Sequence, residues 1–366
     1  MKPITAFMLL LWVIARAKAQ ESSPPPALRA ESIVVLVPAL VRDAGGKPVF
    51  TLTAHDFRVT DDGVEQALTL DADTGGEPLA LVVAIETGGA GALKLDAYRD
   101  LGGALSALVG SIPHLISVVG FDSTPSVLVP FTGSIDSAAA ALHDLEPGDK
   151  GAAIFDALAF SIYQLRTAPA GYRRAILLIS ETLDDGSQAR LEDALREISD
   201  TNTAIYALAF SSVKAHAGRA AAKIMHDGTP GPAHGCFAGD PNAEKDEVSS
   251  NPWMKTYDCL GLLAPPLRLA KLAATAATDS LSRNVPETVA NLTGGEYFKF
   301  EDSRSLVRDL VTVSNHLPNR YVLSFHPQSP HTGFHAVELR LRDYPRLRVS
   351  ARSGYWVDEE TTSIEQ

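Results

Sequence analysis

An apolar run that ends in a glycine turn constrains the fold of this chain more than any other feature. Leu81 to Ile85 are all apolar, Glu86 follows, and Gly88 and Gly89 come next. Unbroken apolar runs are typical of parallel strands that are buried on both faces. Open α/β sheets place their ligand sites at such strand ends, ahead of a helix. The segment therefore predicts a buried parallel strand with a site at its carboxyl end.

Strand and helix patterns alternate from residue 78 to residue 317. Leucine and isoleucine at helical spacing predict helices over 92–110, 153–166, 267–281 and 303–316. Apolar runs predict strands at 114–121, 127–130, 175–180, 203–210 and 297–300. This alternation predicts an α/β fold with a doubly wound, mostly parallel sheet and helices on both faces.

Both flanks of this middle region have strand patterns instead. On the amino-terminal side they cover 32–41, 48–60 and 64–70, and on the carboxyl-terminal side 321–325, 336–341 and 347–351. A doubly wound domain usually begins and ends on neighbouring surfaces. We therefore expect the segments 32–77 and 318–358 to pair in one β-sandwich. The alternative is two separate β appendages, each with few strands to close a core.

The amino terminus has the pattern of a secretory signal peptide over residues 1–19. A positive start and an apolar run are followed by Ala17-Lys18-Ala19, which suits cleavage before Gln20. Arg16 cuts the apolar run short of the roughly 20 residues that a membrane anchor needs, so the anchor is the weaker alternative. We expect a secreted or periplasmic protein of a bacterial envelope, with no integral membrane segment in the mature chain. Residues 20–31 form a leader, and 359–366 form a tail.

The charge of the chain argues against nucleic acid as a partner. Its 366 residues carry a net charge of −12, and loss of a signal with three basic residues and no acid changes this to −15. Nucleic acids and anionic membrane surfaces repel a protein of that charge.

Both cysteines lie in one long irregular insertion at 211–265. Export places Cys236 and Cys259 in an oxidising compartment, so we expect a disulfide between them. A Cys/His metal site with the histidines of the same region is the alternative, but the spacing matches no tight zinc pattern.

Three parts of the chain together indicate a family. Thr53 to Val59 ahead of Asp62-Gly63, the long α/β middle, and the closing stretch Arg352 to Trp356 resemble exported von Willebrand factor A-related proteins of the acidobacterial type. The resemblance covers nearly the whole mature chain. It implies a Rossmann-like von Willebrand factor A domain over 78–317 and a noncatalytic role in binding or cell adhesion.

The resemblance also locates a metal-binding face, on which several ligands are replaced. In such domains the first loop reads Asp-x-Ser-x-Ser, and Glu86, Gly88 and Ala90 stand at those positions here. Ala152 stands at the threonine of the second loop, and Glu181 stands at the carboxylate of the third. Three hydroxyls are therefore missing and both carboxylates are longer. We expect a degenerate metal-ion-dependent adhesion site.

The remaining acids make a tight cation site improbable. Mg²⁺ requires near-octahedral oxygen ligands, which Glu86 and Glu181 alone do not provide. Ca²⁺ tolerates irregular geometry, and Asp184 or Asp185 is near enough in sequence to join them. We expect no cofactor, with weak binding of Ca²⁺ or Mg²⁺ as the alternative. Two close acids without a cation would repel and raise one pKa, unless they simply cap helices or face solvent.

The sequence contains no recognisable catalytic motif. It lacks a Gly-x-Ser-x-Gly elbow in a strand-turn-helix context, a phosphate-binding loop and a His-Glu-x-x-His motif. The histidines at 316, 326, 331 and 335 cluster near the last helix and the carboxyl-terminal strands, with a spacing too irregular for a metal site. His326 and His331 lie in a probable turn, where we expect surface residues rather than ligands.

We therefore predict a nonenzymatic module that binds a protein or an extracellular matrix component. The alternatives are a structural subunit of an envelope complex and a weakly cation-dependent adhesin. The candidate residues of the binding face are Glu86, Thr87, Gly88, Ala152, Glu181, Asp184 and Asp185.

Overall fold

A computed structural model describes residues 34–70, 77–99, 101–211, 284–317, 320–328 and 331–358. The predicted signal peptide, leader and tail, the helix at 267–281, and Cys236 and Cys259 lie outside these residues and stay predictions. So do the segment boundaries and the limits of the 211–265 insertion. Within the described ranges, no helix has the length and apolar content needed to cross a membrane.

The described residues form fourteen strands and seven α-helices. The strands are β1 (Val35–Arg42), β2 (Phe57–Asp61), β3 (Val64–Gln66), β4 (Leu68–Leu70), β5 (Leu79–Glu86), β6 (His114–Phe121), β7 (Pro125–Thr132), β8 (Arg173–Glu181), β9 (Ala204–Phe210), β10 (Tyr297–Lys299), β11 (Tyr321–Phe325), β12 (Gly333–Leu341), β13 (Arg348–Ala351) and β14 (Gly354–Val357). The helices are α1 (Leu95–Tyr98), α2 (Gly102–Val109), α3 (Ile135–His143), α4 (Ile154–Arg166), α5 (Leu191–Thr201), α6 (Val285–Thr293) and α7 (Ser303–His316).

Six strands form the central sheet, in the order β10-β9-β8-β5-β6-β7. All neighbours are parallel except β6 and β7, which are antiparallel. Every residue of β5 is buried, with Leu81, Val83 and Ile85 facing one helical layer and the alternate residues facing the other. The first layer consists of α1, α2, α3 and α7, and the second of α4, α5 and α6. The predicted doubly wound α/β fold is confirmed.

The helix predicted over 92–110 is interrupted in the structure. A 3-10 turn at Gly91–Leu93 precedes α1, and α2 begins only at Gly102. A Cβ atom on Gly102 would lie 2.7 Å from the Cβ of Ala139, so the glycine lets α2 approach α3 closely. The predicted apolar stripe is nevertheless buried, because α1 and α2 both face the sheet.

The flanking strands form two antiparallel sheets that pack face to face. Their orders are β13-β1-β11-β4 and β14-β12-β2-β3, so each combines strands from both ends of the chain. Side chains of both sheets share one core, in which the rings of Phe57 and Tyr321 are 5.1 Å apart. The β-sandwich of the predicted fold is confirmed.

Two predicted strands of the sandwich differ from the structure. Of the range 48–60, residues 50–53 are irregular, a 3-10 turn covers Ala54–Asp56, and only the end belongs to β2. The Tyr321 hydroxyl provides hydrogen bonds there in place of a strand partner, since it donates to the Val49 carbonyl and accepts from the Leu52 N–H. The range 64–70 divides into β3 and β4, which belong to different sheets.

A buried charged cluster joins the sandwich to the α/β unit. Glu296, just before β10, accepts hydrogen bonds from Arg42 of β1 and from Arg320, and its carboxylate also contacts the His316 ring. Burial opposes the charge of Glu296, but these partners outweigh it and lower the pKa of the carboxyl. His316 is 6% exposed, so it is buried with these partners.

Candidate functional site

The carboxyl ends of the parallel strands bring the predicted residues together, with Glu86 at the centre. Glu86 ends β5 and is fully buried. Its Oε1 accepts a hydrogen bond of 2.9 Å from the Gly91 N–H, and its Oε2 accepts one of 2.6 Å from the Glu181 N–H at the end of β8. The carboxylate therefore connects two neighbouring strands and the turn that follows the first.

The environment of Glu86 disfavours its charge. Burial raises the pKa of Glu86 to about 7, although the two backbone N–H groups act in the opposite direction. The charge of Glu181 raises this pKa further but contributes least. Repulsion between two acids correctly predicted that the pKa of Glu86 is raised. The main cause of the rise is desolvation by burial, however, and not repulsion.

Two glycines leave no room for larger side chains in this turn. A Cβ atom on Gly88 would lie 2.3 Å from the Gly151 carbonyl oxygen and 2.5 Å from the Cβ of Asp122. A Cβ atom on Gly91 would lie 2.7 Å from Cγ of Glu86. The neighbouring loop thus occupies the space of the hydroxyl that the resemblance places at position 88, and Gly91 makes room for the Glu86 side chain.

Asp149 and Asp122 connect the surrounding loops. Asp149 Oδ1 accepts hydrogen bonds from the N–H groups of Ser123 and Gly151, and Asp122 Oδ2 accepts one from the Asp149 N–H. The loop of Asp149 also pairs with the first turn, because the Gly89 N–H donates to the Asp149 carbonyl and the Gly148 N–H donates to that of Thr87. The first and second loops are therefore held in one arrangement.

The third loop is fastened to the start of α4. Ala152 and Asp185 form an isolated antiparallel bridge. Asp184 accepts hydrogen bonds from the Phe155 N–H and from the Ser187 hydroxyl, so it caps the helix. Asp156 holds the loop from the other side by accepting from the Gln188 and Ala189 N–H groups.

The oxygen atoms available as metal ligands around Glu86 do not fit a tight Mg²⁺ site. Mg²⁺ requires about six oxygen ligands in octahedral arrangement. Both oxygens of Glu86 already accept backbone N–H groups, and Gly88, Ala90 and Ala152 supply no side-chain oxygen. Asp184, which was expected to be able to join a Ca²⁺ site, is occupied with helix capping. This face is therefore built from internal hydrogen bonds rather than from ligands arranged around a cation.

All seven predicted residues lie at this edge, and the structure adds one that the sequence analysis missed. Leu93, in the turn after Gly91, is 86% exposed, the largest exposure among the large apolar residues that the structure describes. Its neighbour Lys94 donates to the Glu301 carbonyl ahead of α7 and so holds the turn in place. Leu93 was assigned to a regular helix, in which its exposure could not be distinguished from that of its neighbours.

A second cluster of ionisable side chains lies in the β-sandwich. Asp62, His331 and His335 bring potential metal-ligating atoms within 4.8 Å of one another. His335 is fully buried, whereas His326 in the predicted turn is exposed as expected. The sequence holds two signals of this cluster, the histidine pair four residues apart and the adjacent acids Asp61 and Asp62.

The geometry of this cluster favours a charged histidine. His335 Nε2 lies 2.8 Å from the His331 carbonyl oxygen, and Nδ1 lies 3.1 Å from carboxylate oxygens of both Asp61 and Asp62. Nε2 also lies 3.4 Å from the His331 N–H, but the shortest contact of each ring nitrogen is with an oxygen acceptor, which favours a proton on both. Burial opposes the charge, but the two carboxylates outweigh it and raise the pKa of His335 to about 9.

Ring orientation argues against a metal ion in the same cluster. The His331 and His335 rings are stacked, with centroids 3.9 Å apart and planes 18° apart. Imidazole nitrogens bind metals in the plane of the ring, and two stacked rings do not direct their nitrogens at one point. The cluster is therefore a buried ion pair, to which Tyr355 adds a hydrogen bond to Asp61.

Comparisons with known proteins indicate likeness of fold. No protein-family model matches the chain, and no curated protein matches it. Among solved structures, it is similar to the conserved hypothetical protein BatB from Bacteroides thetaiotaomicron, with 14% identity, a TM-score of 0.39, and coverage of 64% of this chain and 96% of that one. An aerotolerance-related membrane protein from Bacteroides fragilis has 15% identity and a TM-score of 0.37, covering 65% and 98%.

A von Willebrand factor type A protein from Catenulispora acidiphila is similar over more of the chain. Its identity is 10% and its TM-score is 0.42, with coverage of 91% of this chain and 76% of that one. Solved von Willebrand factor A-like domains thus occur among the similar structures, as the sequence resemblance implied. All these similarities are too distant to indicate a ligand, a partner or a cellular location for this chain.

Proposed function

We propose that this protein is an exported, noncatalytic binding module. Its binding surface is the carboxyl edge of the central sheet, and its partner is a protein or an extracellular matrix component. The observation that carries this proposal is the set of loops around Glu86. Side-chain and backbone hydrogen bonds hold these loops together, and Leu93 is exposed beside them. Rigid loops on a sheet scaffold are typical of recognition surfaces.

The internal hydrogen bonds favour binding over catalysis. Glu86, Asp149, Asp156 and Asp184 all accept backbone N–H groups. A side chain that is used in this way is not free to act as a nucleophile or a base. The resulting surface is preorganised, which reduces the entropy lost when a partner binds.

The chemistry of the surface suggests the kind of partner. Leu93 offers an apolar contact. The exposed charged residues of the adjoining loop are mostly acidic: they include Asp144, Glu146 and Asp149, and one basic residue, Lys150. A partner with an apolar contact ringed by basic groups would complement this surface. We propose that binding requires no tightly held cation, since the Glu86 carboxylate has internal partners.

The test compares a variant of this surface with a matched variant elsewhere. Immobilised full-length protein is titrated with purified collagen, fibronectin, laminin and a bacterial envelope extract, with and without EDTA. We expect Leu93→Asp to weaken binding at least about ten-fold, because an exposed apolar anchor becomes charged. Tyr163→Asp changes another exposed apolar residue, on α4, and should leave binding unchanged.

Two outcomes would oppose this proposal. Equal binding by the Leu93→Asp variant and the wild type would place the contact elsewhere on the molecule. Loss of binding in EDTA would support the weakly cation-dependent adhesin instead, and Glu86→Gln would then be expected to abolish the cation effect.

One observation favours the second candidate, a structural subunit of an envelope complex that makes contact through the sandwich. Phe50, which lies in the irregular segment before β2, is 53% exposed. Phe50→Ser in the same titrations distinguishes the two surfaces. A loss of binding in this variant alone would favour the structural subunit.

A further inference from the structure

A cleft lies at the opposite edge of the central sheet from Glu86. It has a volume of about 380 Å³ and is bounded by the first residues of β8 and β9 on one side. Leu36 and Pro38 of β1 and Val322 of β11 bound it on the other, so it lies between the α/β unit and the sandwich. Gly171 is exposed and the side chain of Glu77 is 40% exposed, which places the opening beside them.

The polar lining of the cleft is mainly cationic, in a chain that is acidic overall. Arg173, Arg174 and Arg320 line it, and Glu77 is the acidic lining residue. Arg320 is neutralised by Glu296 at 3.1 Å. Among the described residues, no carboxylate lies within ion-pair distance of Arg174, and Glu77 lies 3.9 Å from Arg173 Nε. The lining therefore has an excess of positive charge.

Two guanidinium N–H groups at the cleft have no acceptor. The Nε atoms of Arg173 and Arg320 are buried and make no hydrogen bond to any residue that the structure describes. Arg320 is 4% exposed and is held by Glu296, the Gly294 carbonyl and the Tyr206 ring, so it cannot swing into solvent to find a partner. Arg173 reaches two backbone carbonyls only at 3.5 Å. These two Nε atoms have no contact with solvent in the cleft, so the donors left for a ligand are the terminal guanidinium nitrogens of Arg173 and Arg174.

The rest of the lining is largely apolar. Leu36, Leu79 and Val322 contribute aliphatic surface, and Tyr206 contributes a buried ring. Small-molecule sites commonly combine such walls with a few convergent polar groups, in volumes of roughly 300–1,000 Å³. The cleft has both properties and falls in the lower part of that range.

We propose that this cleft binds a small organic anion, whose carboxylate or phosphate accepts hydrogen bonds from Arg173 and Arg174 while its apolar part contacts Leu36 and Val322. Guanidinium groups suit both kinds of oxyanion because their planar donors match the spacing of the oxygens. The site is separate from the binding surface at the carboxyl edge. Because the ligand would touch both β8 and the sandwich, it would also stabilise their junction.

The test uses an anion and its neutral counterpart. Full-length protein is titrated calorimetrically with 4-phenylbutyrate, phenyl phosphate and uncharged 4-phenylbutanamide. We expect at least one anion to bind at least about ten-fold more tightly than the amide, which is the effect of one charge-assisted hydrogen bond. The tighter of the two anions identifies the carboxylate or the phosphate class.

Variants of Arg173 provide the second arm. Arg173→Met keeps the apolar stem and should weaken anion binding about ten-fold without affecting the amide. Arg173→Lys keeps the charge and should retain part of the affinity, which separates loss of charge from loss of folding. Arg346→Met removes an exposed arginine of the sandwich and serves as the control.

The proposal has clear failing outcomes. Equal binding of the amide and the anions would show an apolar cleft without anion recognition, and no binding of any probe would show that the excess positive charge of the cleft recruits no such ligand. Both outcomes are measured on the wild type and do not depend on the folding of a variant. None of them bears on the Leu93 surface, so this proposal and the proposed function fail independently.

Discussion

Replacing Glu86 by glutamine should change how the stability of the protein depends on pH. The pKa of Glu86 is raised from 4.5 to about 7 by burial. The folded protein therefore holds a proton that the unfolded chain releases at lower pH. The free energy of unfolding therefore falls as pH rises from 4.5, and the loss is complete above pH 7.

The magnitude follows from the same two pKa values. A rise from 4.5 to about 7 corresponds to about 3 kcal/mol of unfolding free energy, as an order of magnitude. Glutamine does not ionise, so this loss disappears in Glu86→Gln. Its amide oxygen can accept only one of the N–H groups of Gly91 and Glu181, and its NH₂ group would face the other. That mismatch costs roughly 1–3 kcal/mol at every pH.

Urea unfolding at pH 5, 6, 7 and 8 measures both effects. At pH 5 the variant should be less stable than the wild type, and by pH 8 the difference should shrink by about 3 kcal/mol or change sign. Glu146→Gln is the control, because Glu146 is exposed near the same face. A difference between wild type and Glu86→Gln that stays constant from pH 5 to pH 8 would refute the argument from burial.

Three further predictions concern other parts of the chain. The pKa of His335 is raised from 6.5 to about 9, so the charged imidazole stabilises the fold by about 3 kcal/mol below pH 6.5, and this is lost as pH rises through 9. In urea unfolding, the stability difference between His335→Gln and the wild type should therefore be smaller at pH 10 than at pH 6. Gly88→Ser introduces the serine that the sequence resemblance places at position 88 but pushes Cβ against the Gly151 carbonyl. It should lower stability by roughly 1–3 kcal/mol, and calorimetry should detect no new Mg²⁺ binding. A stable variant that binds Mg²⁺ would contradict this. Tyr321→Phe removes both hydrogen bonds to the segment 49–52 and should cost about 1–3 kcal/mol in urea unfolding, whereas an unchanged midpoint would show that water replaces the hydroxyl.

The periodicity of apolar residues was sufficient to predict most strands of the central sheet. The run 114–121 coincides with β6 and the range 303–316 with α7, because a long apolar pattern and clear end signals act together there. The prediction was less accurate for 92–110 and 48–60. In both ranges a contact distant in sequence decides the structure: Ala139 packs against Gly102, and the Tyr321 hydroxyl bonds the 49–52 backbone.

The charged clusters were beyond the reach of sequence patterns. Glu296 and Arg320 are 24 residues apart, and Asp61 and His335 are 274 residues apart, yet each pair meets in the buried interior. Burial of a charge depends on partners that periodicity does not specify. The cleft at Arg173 was missed for the same reason, since it forms only where the sandwich meets the sheet.

The residues around Glu86 form a consistent set of internal hydrogen bonds. Glutamate is one methylene longer than the aspartate that the family resemblance places there, and its two oxygens reach N–H groups in the turn and on β8. That reach requires a residue without Cβ at position 91, where Gly91 stands, and the loop at Gly151 closes over Gly88. A single substitution, such as Gly88→Ser, would therefore leave the other contacts in place and create no cation site. Building one would require changing the carboxylate, the turn and the loop together.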